Sequence, residues 1–375
     1  MRLLFLHPAE CHTKLSEYRN GLVPSHVLWG QAELEKRGHK VEVCPRVPSI
    51  YLGQRGGLIW RIWQTLWALR RGRQADALVA VEESGILLLL LAKALGVLSG
   101  PVVLLNRMLL HPRQCGGMRG RLWKWLLGYA DQVLSLAPCQ ARQVGEVYGI
   151  EANRLNYLFM PVDSSFFPSF QNTRCERFFL AVGCHSARDF GTLLEALPLG
   201  EKLVIITDRD GAWRVRTHRC YGSGIEVYQT VSRVALSLLY QRAGAVVIPL
   251  AETPYPCGLR AFVESQARGK VVIVSGSSSM REYVRAGWNG IVVPVGDVGA
   301  LREALQATLN EPGRFRHIPW SAQGDARRRF SSQRFGLGLE AIIERAIAGE
   351  LWKSNRWRWL KRSSVLKGAQ HECVS

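Results

Sequence analysis

Gly258 and Glu264 carry the clearest chemistry by type and spacing. Gly258 opens a helical pattern in which Leu259, Phe262 and Val263 face a core. The free N–H groups of a helix start are a ready seat for a diphosphate. Glu264 lies about two turns along the same helix, where a carboxylate accepts both hydroxyls of a ribose. Sugar and phosphate would then be read together. The Gly276-Ser277-Ser278-Ser279 loop, expected to lead into a helix at Met280, offers further backbone donors.

Metal chemistry finds little support. Asp208-Arg209-Asp210 has the form of a metal-binding Asp-x-Asp, but it follows an expected strand, where a solvated turn is the plainer reading. His12, His26 and His185 are too dispersed for a ligand set. The nine cysteines, Cys11, Cys44, Cys115, Cys139, Cys175, Cys184, Cys220, Cys257 and Cys373, are odd in number and scattered. They read as reduced cytosolic thiols. No metal and no cofactor are expected.

The elements that must position Gly258 and Glu264 form two series. Strands are expected at Leu3–Leu6, Val41–Cys44, Ala77–Val81, Val102–Leu105, Gln132–Leu136 and Asn156–Phe159, with helices between them, which predicts βαβ units and a parallel sheet. The stretch Asp163–Arg177 interrupts this pattern and reads as a linker. A second series follows, with strands at Phe178–Val182, Lys202–Thr207, Ile225–Tyr228, Ala245–Pro249, Val271–Val274 and Gly290–Val293. Its helices start at Asp189, Ser232, Gly258, Met280 and Val298. The expectation is an α/β chain of two Rossmann-like, doubly wound domains facing a cleft. The boundaries are 1–168 for an acceptor domain, 174–330 for a donor domain, 331–350 for a helix crossing back to the first, and 351–375 for a basic Trp-rich tail. Ligands of such sheets bind at the carboxyl ends of the strands.

The 375 residues carry a formal charge of +19, which favours phosphate-bearing partners: a nucleotide, a nucleic acid or an anionic bilayer. The N-terminal apolar run is too short for a signal peptide and reads as a buried first strand. Ile86–Leu98 is interrupted by Lys93 and falls short of a membrane span, so a buried helix is expected there.

Residues 249–305 resemble the C-terminal half of glycosyltransferase family 4, the group 1 retaining enzymes of GT-B architecture. A proline-ended strand, a Gly-led helix holding Glu264, Gly269-Lys270, Glu282, Asn289-Gly290 and Gly296-Asp297 carry the resemblance. It implies that Glu264 holds the donor ribose, while backbone at Gly258, Leu259 and the Ser277, Ser278 and Ser279 loop serves diphosphate and sugar. The family's usual earlier glutamate falls on Pro256, with Glu252 the nearest acid. Phe179–Gly183 followed by Cys184–Phe190 is similar to the family's first C-domain strand and basic loop. This implies donor contact at Gly183 and a phosphate clamp at Arg188, a role guanidinium chemistry suits. Gly21–Val27 and Glu33–Val43 are similar to its first loop and helix, with backbone at Gly21 approaching the sugar. Where many members have a histidine after the fourth strand, this chain has Asn106-Arg107. Catalysis is accordingly assigned to Glu264, Arg188 and Asn106, although Asn106 and Arg107 also fit a polar pair facing solvent. A front-face transfer needs no protein nucleophile, since the leaving diphosphate can take the acceptor's proton.

Three segments interleave tryptophan with basic residues, and hold eight of the twelve tryptophans: Arg55–Arg73, Arg119–Trp125 and Trp352–Arg362. Trp60, Trp63 and Trp67, with Arg70 and Arg71, recur at helical spacing, as in a helix lying in a lipid interface. Trp123, Trp352, Trp357 and Trp359 are assigned to the same contact. A core stripe with solvated arginines fits the first segment as well. Nucleic-acid binding fits the composition, but no helix-turn-helix, zinc finger or RNA-binding signature accompanies it. The expected protein is a metal-independent hexosyltransferase, taking a nucleoside-diphosphate sugar as donor and a lipid-linked or other glycan as acceptor. It is expected in the cytoplasm, attached peripherally to the inner face of a membrane. A soluble acceptor, or a non-catalytic module binding nucleic acid or anionic lipid, are the alternatives.

Overall fold

The computed structural model describes residues 1–7, 11–45, 56–168, 175–184 and 187–349. His185, Trp352, Trp357 and Trp359 lie outside the described residues, as does the tail at 351–375.

Twelve strands form two parallel sheets of six. The first contains β1 (Arg2–Leu6), β2 (Lys40–Val43), β3 (Ala77–Ala80), β4 (Val102–Leu105), β5 (Gln132–Ser135) and β6 (Leu155–Tyr157), in the order β2-β1-β3-β4-β5-β6. The second contains β7 (Phe178–Val182), β8 (Lys202–Ile206), β9 (Ile225–Tyr228), β10 (Ala245–Ile248), β11 (Val272–Ser275) and β12 (Ile291–Val293), in the order β12-β11-β10-β7-β8-β9. β3, β4, β5, β10 and β11 are buried at every residue, because helices cover both faces of such sheets. All twelve expected strands are present, within two residues at either end.

Helix starts at Asp189, Ser232 and Asp297 rest on local chemistry. Each side chain accepts a backbone N–H three residues on, at 3.1, 3.1 and 2.9 Å, which satisfies a donor the helix itself cannot. Asp208 does the same for Gly211 at 2.8 Å, so Asp208-Arg209-Asp210 is a helix start rather than a solvated turn. The helix expected at Met280 does not form. Residues 278–283 make successive turns, with Met280 N–H on Ser277 O and Tyr283 N–H on Met280 O. The apolar run at 86–98 is the helix Glu83–Ala94, with Ile86, Leu89 and Leu90 fully buried. Its Lys93 ammonium is satisfied by Asp131 and the Gly100 carbonyl. Among the described residues no helix is long and apolar enough to cross a membrane.

The lobes meet through a continuous apolar cluster rather than a bare hinge. Phe159, Phe262, Tyr283 and Phe330 pack ring against ring, and Tyr283 stacks on Phe330 at 5.5 Å. The Tyr283 hydroxyl accepts from Met160 N–H at 2.7 Å and donates to Leu136 O at 2.6 Å. The helix at 332–349 returns to the first lobe, where Gly336 lies against Glu33 and Gly338 against Leu158. A Cβ at either glycine would come within 2.5 Å of those side chains.

Candidate active site

In the second sheet the connection reverses between β7 and β10, and this switch point is where doubly wound sheets open a crevice. The loops leaving those two strands are stitched together. Arg188 bridges Leu250, Asp189 N–H donates to Pro249 O, and Ala251 N–H donates to Ala187 O. That pairing turns the Arg188 side chain inward, where it is 6% exposed.

Arg188 points into a cavity of about 380 Å³ between the lobes. Its Nε and Nη1 are buried without a protein acceptor. Burial lowers its pKa from the ordinary value, because a desolvated cation is disfavoured. A buried guanidinium with open donors implies an anion. Two glycines make the space: a Cβ at Gly183 would sit 1.9 Å from Arg188 Nε, and one at Gly258 would sit 3.4 Å from Nη1. Gly258 also has φ +81°, a left-handed conformation that glycine adopts without strain, and it caps the helix Leu259–Ala267. The amides opening that helix therefore face the same hollow as Arg188, with Leu259, Arg260 and Glu264 among the lining residues.

Glu264 is 1% exposed. Its Oε1 lies 3.2 Å from His26 Nε2 in the first lobe and 3.4 Å from Arg233 Nη1. Burial alone would raise its pKa, but the His26 bond and the charges of Arg233 and Arg260 outweigh it and hold the carboxyl below its ordinary range. The His26 pKa is lowered as well, here because burial outweighs the pull of Glu264. The pair is thus a carboxylate and a neutral imidazole.

The first lobe supplies Trp29, Arg107, Met108, Leu136 and Met160 to the cavity wall. Trp29 has φ +53° and carries the Arg107 guanidinium over its ring at 5.2 Å. Arg107 and Met108 are fixed by Glu83, whose buried carboxylate accepts both backbone N–H groups. Tyr255, from the second-lobe loop before Gly258, crosses to the first lobe and meets His111 ring to ring at 5.0 Å.

Several expected site residues are placed differently. Asn106 is fully buried and spends its amide on Ser135 Oγ and Leu109 N–H, both at 3.1 Å. It shapes the loop, and its neighbour Arg107 is the one that reaches the cavity. Gly21 is exposed, ends the helix Cys11–Arg19 with φ +69°, and does not line the cavity. The Ser277, Ser278 and Ser279 loop is also outside the lining: Ser277 and Ser279 hydrogen-bond each other at 3.0 Å, and the Ser278 amide is taken by Glu252 at 3.0 Å. Among the basic aromatic segments, Trp123 is 1% exposed and donates to Gln114 at 2.9 Å, so it is a core residue. Trp60 and Trp67 are half-buried. Trp63, Arg70 and Arg71 are exposed.

His26, Arg233, Arg260 and Trp29 had no signal of their own in the sequence. Arg260 shares the helix of Glu264, whereas the others reach the site from other elements, 31 and 238 positions from Glu264 in the cases of Arg233 and His26. Among the described residues no three His, Cys, Asp or Glu side chains group as a metal site would.

Residues 179–311, which include Gly183, Arg188, Gly258 and Glu264, match the family of glycosyl transferases, group 1. The second lobe therefore carries the group 1 glycosyltransferase match. Solved structures extend the fold likeness over both lobes. The sucrose-phosphate synthase of Thermosynechococcus elongatus aligns with a TM-score of 0.74 at 14% identity, over 93% of this chain and 100% of that one. Anabaena HepE, in complex with UDP-glucose, aligns at 0.69 and 15% identity over 92% and 98%. The catalytic domain of starch synthase IV from Arabidopsis thaliana, bound to ADP and acarbose, aligns at 0.65 and 10% identity over 92% and 99%. The chain therefore has GT-B architecture. Comparison with curated protein sequences gives no match.

Proposed function

We propose that this glycosyltransferase takes a sugar from a nucleoside-diphosphate sugar and transfers it with retention of configuration, without a metal ion, to an acceptor presented at a membrane. The observation that carries the donor reading is the buried Arg188 guanidinium, open at Nε and Nη1, beside the helix start at Gly258. Four guanidinium groups line the cavity, Arg107, Arg188, Arg233 and Arg260, against the single carboxylate Glu264. This excess of positive charge suits the diphosphate of a nucleotide sugar, and would supply the leaving-group stabilisation that a metal ion gives elsewhere. A cavity of about 380 Å³ has room for the diphosphate and adjoining sugars.

The composition of the lining supports retention: among the described lining residues Glu264 is the one carboxylate, and it is already engaged by His26 and Arg233. In the proposed step the bond from the anomeric carbon to the diphosphate oxygen breaks, and the acceptor oxygen bonds that carbon on the same face. Its proton passes to the departing phosphoryl oxygen. Arg188 and the helix start hold the developing charge.

The membrane reading rests on a surface that burial should have covered. On the helix Gly56–Gly72, Ile59, Ile62, Trp63 and Leu66 form one stripe, each 41–57% exposed. Two helices further along the same face, on Gly117–Leu127, Met118, Leu122 and Trp125 are exposed too. Arg61, Arg70, Arg71 and Lys124 accompany them. An apolar stripe edged with cations suits an anionic lipid interface. Turnover of UDP-, GDP- and ADP-sugars, with the anomeric configuration of the product read by NMR, tests the reaction. A product of inverted configuration, or turnover that depends on added divalent metal, would overturn it.

A further inference from the structure

We propose that His26, a first-lobe residue, is a positioning residue for the donor-binding carboxylate: it holds Glu264 in its ribose-accepting orientation, so the second lobe binds donor tightly only when the lobes are closed. The inference rests on the donor reading above and names a device that makes one lobe's affinity depend on the other.

The ring is fixed on three sides. His26 is 1% exposed, and its face lies 5.9 Å from the Phe167 ring. Nδ1 faces the backbone N–H of Asp163 at 3.1 Å and must accept from it. In the neutral ring the proton then sits on Nε2, which donates to Glu264 Oε1 at 3.2 Å. Asp163 is held in turn, since its Oδ2 accepts from Ser25 N–H at 2.8 Å. Its neighbour Val162 pairs with the chain at Phe330 and Ser332. The imidazole is thus anchored where the chain crosses between lobes, and its one remaining bond reaches into the donor site.

Oε1 of Glu264 takes both the His26 and Arg233 bonds, and the buried Tyr240 also lies against the carboxylate, so its orientation is set by groups from two elements, one in each lobe. A ribose diol needs a carboxylate fixed in the plane of its two hydroxyls, and an unanchored glutamate would lose rotamer freedom on binding. His26 removes that cost in the closed form. Opening the cleft separates His26 from Glu264 and returns it.

The charged groups facing His26 are Glu264 and Arg260 from the helix Leu259–Ala267, Arg233 from the helix Arg233–Arg242, and Asp163 from the crossing segment. Acid acts through Nδ1. A proton there sets two N–H groups against each other at the Asp163 contact, so the ring leaves its seat and releases Glu264.

The test compares His26→Ala and His26→Gln in the full chain, reading donor KM, kcat and nucleoside-diphosphate affinity between pH 5 and 8. Loss of one charge-assisted hydrogen bond predicts about a tenfold or greater rise in donor KM for His26→Ala, with kcat changed by less than about threefold. A glutamine amide reaches Glu264 and does not titrate, so His26→Gln recovers donor KM to within about threefold of wild type. It also abolishes the loss of affinity expected of wild type as pH falls through the His26 pKa, which burial places below its ordinary value. If His26→Ala does not fold, His26→Asn replaces it, since asparagine can accept from Asp163 N–H but falls short of Glu264. Unchanged donor KM in His26→Ala or His26→Asn, or an acid limb as steep in His26→Gln as in wild type, overturns the inference. If Arg188→Ala weakens binding while the His26 variants do not, this inference alone fails. If wild type binds no nucleoside diphosphate, the donor reading fails with it.

Discussion

The Glu282 carboxylate of the second lobe sits on the Cys139 amide of the first, its two oxygens 3.2 and 3.0 Å from the nitrogen. Cys139 lies in the first turn of the helix Pro138–Tyr148, where N–H groups lack intrahelical partners and the helix dipole is positive. One lobe therefore caps a helix of the other. Glu282→Ala is expected to cost about 1–2 kcal/mol of unfolding free energy, with Glu282→Gln recovering part of it. Denaturant unfolding measures both.

Arg188→Ala separates stability from binding. Removing a buried cation without a counter-charge relieves desolvation, so the melting temperature should not fall. Nucleoside-diphosphate affinity should drop about 10- to 100-fold, the worth of one or two charge-assisted hydrogen bonds. Thermal melts beside calorimetric titration give the two signs independently.

Gly183→Ala should reproduce the binding defect without touching the guanidinium chemically. A methyl group 1.9 Å from Arg188 Nε must push the side chain from its seat. Donor affinity is expected to fall at least about tenfold, and a crystal structure of the variant should show Arg188 displaced.

Acid should weaken the fold through the His26–Glu264 pair. Burial holds the His26 pKa below its ordinary 6.5, so the unfolded chain binds that proton more readily. The histidine's contribution is then complete above about pH 6.5 and is lost as pH falls below it. Glu264 also has a lowered pKa, so its contribution is present above its ordinary 4.5 and is lost as pH falls further. Unfolding free energy measured from pH 8 to 4 should show the first decline in wild type and a shallower one in His26→Gln.

The twelve strands were legible because buried parallel strands are short unbroken apolar runs, as in Val102–Leu105 and Ala245–Ile248. Helix starts at Asp189, Ser232 and Asp297 were legible because capping is local. At Met280 the local pattern lost to tertiary demand: Tyr283 is drawn to Met160 and Leu136 in the other lobe, and Asn289 closes the turns by accepting from Arg285 N–H at 2.7 Å. Gly258, Glu264, Arg188 and the Asn106-Arg107 position could be picked out by motif, whereas the His26 contact with Glu264 could not, since no periodicity reports which lobe faces which. Trp123 was misjudged for want of helical phase: it shares a buried side with Leu126 and Leu127, while Trp125 faces out.

The exposed stripe gives its own prediction. Ile62→Glu with Leu66→Glu should lower partition onto anionic vesicles at least about tenfold, and raised salt should weaken the wild type in the same direction. Turnover of soluble donor should be unaffected, because neither residue lines the cavity. Co-sedimentation decides, and equal partition of variant and wild type would favour a soluble acceptor.

Calorimetric titration of wild type and Arg188→Ala with UDP, GDP and ADP addresses the cavity directly. The account predicts that at least one of the three binds wild type with a Kd of about 100 µM or tighter, and that the variant loses tenfold or more of that affinity. Binding of equal strength to both proteins, or none to wild type, would contradict it.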